Sequence, residues 1–134
     1  MKYNFRLEKL VRDKIPELMD APDSVLEIQT LDRKAHILAL KEKLKEEAQE
    51  VFCATTREEL IEEIADVSEV LDALILKLNI KKSEIDDIKR LKSFKKGGFD
   101  RGLFLKSVVL PSDSPMALRF LENPSKYPMS PADS

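Results

Sequence analysis

Two acidic groups in this chain are set at helical spacing. Glu46-Glu47-Ala48-Gln49-Glu50 is followed, after Val51 to Glu62, by Glu63-Ile64-Ala65-Asp66. Residues three apart lie about 60° apart around a helix, so Glu47 and Glu50 share a face, as do Glu63 and Asp66. Two antiparallel helices joined by a short turn would bring the pairs together. Four carboxylates converging in a partly apolar place repel one another unless a cation lies between them. The pattern is therefore a candidate Mg²⁺ site. Oxygen-only ligands suit Mg²⁺, Mn²⁺ or Ca²⁺, whereas zinc prefers His and Cys. A di-iron bundle would need Glu-x-x-His on two helices, and the one histidine, His36, stands outside any such motif. No EF-hand loop is present.

The elements that must position these groups are helices. Asp32 is placed to cap a helix running to about Ala54, with Ile37, Leu40, Leu44, Ala48 and Val51 as its apolar stripe. Thr55 or Thr56 caps the next, with Glu58 or Glu59 near the capping-box position. That helix runs to about Asn79, with Leu60, Ile64, Val67, Leu71, Leu74 and Leu78 at heptad-like spacing. A third helix is expected from Ser83 to about Lys96, ended by Gly97-Gly98. Before them, Arg6 to Met19 reads as a short helix or turn-rich segment interrupted or ended near Pro16. Val25 to Leu31 alternates apolar and polar residues, and Leu103 to Val109 offers a second run to pair with it. The expected architecture is mainly α: a helical bundle with a small two-stranded β element, completed by self-association. The domain is expected over residues 1–110, followed by a Pro- and Ser-rich tail, 111–134, irregular or partly ordered.

Bulk composition agrees. The chain has 134 residues, 43% of them hydrophobic and 36% charged, which suits amphipathic helices in one small domain. A formal net charge of −2 gives no general attraction to nucleic acid or anionic membrane. The basic stretch from Lys77 to Lys96 is interleaved with Glu84, Asp86 and Asp87, as on a solvated helix. No apolar run is long enough to span a bilayer. Met1 to Arg6 lacks a secretory apolar stretch, and Cys53 is the lone cysteine. A cytoplasmic protein is the expectation.

Most helical glutamates are solvated, and Glu42, Glu58, Glu59 and Glu62 are read that way. Glu47 differs, because it lies on the stripe of Leu40, Leu44 and Val51. Glu63 lies on that of Leu60, Val67, Val70 and Leu74. A glutamate facing a core needs a partner, since unpaired burial costs several kcal/mol or forces protonation. Lys43, four residues before Glu47, is one candidate and a metal is another. Spacing alone leaves both open.

The acidic pattern resembles the signature of the all-α nucleoside triphosphate pyrophosphohydrolases, the MazG-like superfamily. Lys9-Leu10-Val11-Arg12-Asp13-Lys14-Ile15-Pro16 and Lys96-Gly97-Gly98-Phe99-x-x-Gly102 are similar to a subgroup labelled phosphoribosyl-ATP pyrophosphohydrolase-like. The three matches occur in the right order over residues 9 to about 110. The resemblance implies Mg²⁺-dependent hydrolysis of a nucleoside triphosphate between its α- and β-phosphates, giving a monophosphate and pyrophosphate. It implies Glu47, Glu50, Glu63 and Asp66 as the metal ligands, and their oxygen-only donors also suit Mn²⁺. Glu46 or Glu50 would accept a proton from the attacking water. No nucleobase-recognition set can be matched, and histidine biosynthesis does not follow from the label.

Holding a triphosphate needs cations. Arg12 and Lys14 near the N-terminus, and Lys95, Lys96 and Arg101 around the glycines, are the candidates. Each has an ordinary alternative: Lys95 and Lys96 complement a helix C-terminus, and Arg12 pairs with Asp13 or the acidic helices. The partners expected are a triphosphate substrate and further copies of the chain, as homodimer or homotetramer. Two other functions fit the same residues: a non-catalytic helical interaction module, and a nucleotide sensor.

Overall fold

The computed structural model describes residues 1–130, and these are mainly helical. Five helices occur in the described residues: α1 (Ile15–Leu18), α2 (Arg33–Cys53), α3 (Arg57–Lys77), α4 (Lys82–Lys96) and α5 (Pro115–Leu121). Two compact units are formed, one from Met1 to Lys95 and one beginning at Lys96.

The centre of the first unit is the α2–α3 hairpin. Its helices start where capping chemistry is supplied. The Asp32 carboxylate accepts from the Ala35 N–H at 2.8 Å, and the Thr56 hydroxyl accepts from the Glu59 N–H at 3.1 Å. Glu59 in turn accepts from the Thr55 N–H at 3.1 Å, a reciprocal cap displaced by one residue from the usual box. Each such cap contributes about 1 kcal/mol. The turn between the helices, residues 54–56, is short, and α3 packs back along α2. Arg33, at the start of α2, donates to the Lys77 carbonyl at the end of α3 over 3.2 Å, which ties the open end. Helix α3 stops in a left-handed cap: Asn79 has φ 56°, with Asn79 N–H to the Leu76 carbonyl and Ile80 N–H to the Ile75 carbonyl, both 3.1 Å.

The hairpin covers only part of its apolar surface. Among the described residues Leu40 and Val70 are the buried hydrophobics, and Glu47 is the buried charged residue. Leu44, Val51, Leu60, Val67, Leu74 and Leu78 are half-buried. Ile61, Ile64 and Leu71 are exposed, although Ile64 and Leu71 belong to the heptad-like set. On α3 the apolar arc spans roughly 180°, wider than the stripe of about 100° one neighbour covers. Helix α2 covers the Glu63 and Val70 side of that arc.

Two sequence expectations are not met. No strand forms among the described residues. The runs 25–31 and 103–109 are irregular and take part in no backbone–backbone hydrogen bond there. Val25, Ile28, Leu103, Phe104, Leu105 and Val109 are exposed, so the alternation has no face to bury. Pro16 does not end a helix; it stands in the first turn of α1, where its missing N–H costs nothing. The tail is partly ordered, one of the two states expected for it. Ser114 caps α5 on the Met116 N–H, and Phe120 stacks on Tyr127 with ring centroids 4.0 Å apart. Ser-Pro at the cap and first helical positions was the available signal.

Helix α4 ends before Gly97, whose φ of 82° favours a residue without Cβ. No helix among the described residues is long and apolar enough to cross a membrane.

Candidate metal centre

The antiparallel hairpin brings Glu47 of α2 against Glu63 and Asp66 of α3. One carboxylate oxygen from each lies within 4.8 Å of the other two. The helix faces decide this. Glu47 is one turn below Lys43 and Leu44 on the side of α2 that carries Leu40. Glu63 is seven residues before Val70 on the side of α3 that meets α2. Burial of Leu40 and Val70 therefore places the acids opposite one another.

Glu50 is not in this trio. It is exposed, about 60° around α2 from Glu47, yet its charge is the largest of the neighbouring charges acting on Glu63. Glu46 is half-buried and held by two lysines, Lys9 at 3.4 Å and Lys43 at 3.3 Å. Glu42, Glu58, Glu59 and Glu62 are exposed, as their solvated reading requires.

Charge balance around the trio is incomplete. Lys43 pairs with Glu47 at 3.2 Å, and both side chains are largely shielded, at 16% and 12% exposure. Arg12 donates to Asp66 Oδ1 at 2.7 Å. Glu63 has no cation partner among the described residues. Partial burial first, then the charges of Glu50, Asp66, Glu47 and Glu62, raise its pKa above the ordinary carboxylate value. Six carboxylates (Glu46, Glu47, Glu50, Glu62, Glu63, Asp66) thus face three paired cations (Lys9, Arg12, Lys43).

The trio fits a hard divalent ion on donor chemistry and on size. Oxygens on opposite sides of Mg²⁺ stand about 4.2 Å apart, and on Ca²⁺ about 5 Å. The three oxygens lie within 4.8 Å of one another, a spread of that order. Three protein carboxylates leave coordination positions for water or phosphate oxygens, as Mg²⁺ prefers.

The other candidates are dispersed. Lys14 is the exposed cap of α1. Lys95 is exposed near the end of α4, a helix that does not share the close packing of α2 with α3. Lys96 and Arg101 are exposed and fall in the second unit. Lys9, which no spacing argument singles out, joins the acidic cluster through Glu46. No protein-family model, curated protein or solved structure matches the chain.

Proposed function

We propose that the chain is a Mg²⁺-dependent nucleotide pyrophosphohydrolase, cleaving a nucleoside triphosphate between the α- and β-phosphates. One observation carries the reading: three carboxylates from facing helices converge around a point where one of them, Glu63, has no cation among the described residues. The signature resemblance, Glu46-Glu47-x-x-Glu50 with Glu63-x-x-Asp66, supports the same reaction.

When bound, Mg²⁺ polarises phosphate oxygens and lowers the pKa of its water. Glu47, Glu63 and Asp66 would hold it. Exposed Glu50 would accept a proton from the water or serve as a further ligand. Glu46, held by Lys9 and Lys43, is better placed to fix Lys43 than to move a proton. A triphosphate approaching without metal meets net negative charge, so binding and metal loading are coupled.

A panel of triphosphates with Mg²⁺ tests the reaction. The expected products are a monophosphate and pyrophosphate, identified by phosphorus NMR. Folded protein that releases neither from any substrate sinks the proposal. Saturable binding without turnover selects the sensor reading.

Self-association is part of this reading. Ile61, Ile64 and Leu71 form the uncovered half of α3, and Leu38 and Phe52 lie exposed on α2. A second copy supplies a matching surface by symmetry. Sedimentation should find a dimer or tetramer that dissociates when Ile61 and Ile64 become Glu. A monomeric wild-type protein at micromolar concentration contradicts it.

A further inference from the structure

The segment before α1 is irregular, yet it is tied to the acidic helices at two points. Lys9 reaches Glu46 across 37 positions of sequence at 3.4 Å, and Arg12 reaches Asp66 across 54 positions at 2.7 Å. These are the long-range side-chain bonds that hold residues 1–14 among the described residues. Both cations end on the candidate metal centre or on its immediate neighbour.

We infer that Lys9 and Arg12 are a built-in counter-ion for the acidic centre, in place when no divalent ion is bound and in competition with one. The inference rests on the metal reading above. Asp66 belongs to the converging trio, and one of its two oxygens is already engaged by the Arg12 guanidinium. A guanidinium and a divalent cation both take carboxylate oxygens, so the positive charges repel as they share the site. Loading therefore weakens the Arg12–Asp66 bond. The pair is well suited to yield: the Arg12 and Asp66 side chains are 59% and 36% exposed, and exposed pairs hold weakly. Lys43 is different. It is mostly shielded and bonded to both Glu46 and Glu47, so it is a permanent partner. The N-terminal segment thus reports the state of the centre, since its attachment to the hairpin changes when the metal enters.

Calorimetric titration with Mn²⁺ alone tests this on the full chain, with no substrate present. Arg12→Gln should bind the ion about two- to fivefold more tightly than wild type, the range expected for an exposed pair. Lys9→Gln/Arg12→Gln should gain more. Lys82→Gln, which removes a distant exposed charge, should change little. In the wild-type protein the Arg12 Nε–Hε resonance should shift in step with Mg²⁺ saturation. Added NaCl should narrow the gap between wild type and Arg12→Gln. If Arg12→Gln loses helix content, Arg12→Lys serves, and it should keep wild-type affinity because it keeps the charge. Unchanged or weaker Mn²⁺ binding in Arg12→Gln, with wild type binding normally, overturns the counter-ion role and leaves the metal site standing. Absence of binding in wild type and every variant removes both.

Discussion

Glu47→Gln should lower kcat/KM for pyrophosphate release by about a hundredfold or more, with helix content unchanged. The substitution keeps the shape of the side chain and removes its charge. Glu47 is the most buried of the trio, so solvent cannot readily replace it as a ligand. Its loss does not strand Lys43, which keeps Glu46 at 3.3 Å. A large stability penalty is therefore not expected, and the deficit should appear in turnover and metal affinity. Asp66→Asn should behave alike, since an amide oxygen is a poorer ligand for Mg²⁺ than a carboxylate. Circular dichroism checks the fold, and pyrophosphate release checks the activity. Full activity in either variant refutes the ligand assignment.

Glu63→Gln should raise the melting temperature of the metal-free protein at neutral pH while removing stabilisation by Mg²⁺. Glu63 is the carboxylate whose pKa is raised, through partial burial and the charges of Glu50, Asp66, Glu47 and Glu62. A raised folded-state pKa means that the folded protein binds the proton more tightly than the unfolded chain. The resulting stability is fully present below the unfolded value, 4.5, and is lost as pH rises through the folded value. Gln keeps the uncharged form at every pH, so the variant should gain most near neutrality and little near the acid end. Wild type should gain stability from Mg²⁺ at neutral pH, by about 2.7 kcal/mol at one hundred times Kd. That gain should shrink on acidification, because protons compete for the same oxygens. The variant should show almost none. Thermal melts at several pH values, with and without Mg²⁺, separate the two arms. A variant that melts lower than wild type at neutral pH without metal would falsify the repulsion argument.

Much of the hairpin can be read from residues alone because its determinants are local. Asp32 and Thr56 stand where an N-terminal cap is needed, and each side chain reaches only three residues to find its donor. Asn79 and Gly97 mark helix ends by tolerating positive φ. The trio is partly legible too, since Glu47 and Glu63 interrupt apolar stripes. Glu50 stands outside the trio, yet it exerts the largest neighbouring charge on Glu63. Sharing a face with Glu47 within about 60° does not decide which of them meets the partner helix. The runs 25–31 and 103–109 show another limit: alternation describes one chain, whereas a ladder needs a second strand at the right distance.

By itself, then, the sequence determined where α2, α3 and α4 begin and end and which glutamates lie on apolar stripes, because caps and periodicity act within a few residues. Tertiary structure decided that Glu47, Glu63 and Asp66 converge while Glu50 stays exposed beside them, and that Lys9 and Arg12 close on the acids. Burial of Leu40 and Val70 sets the rotation of one helix against the other. An irregular segment has no period from which the landing points of its side chains can be foretold.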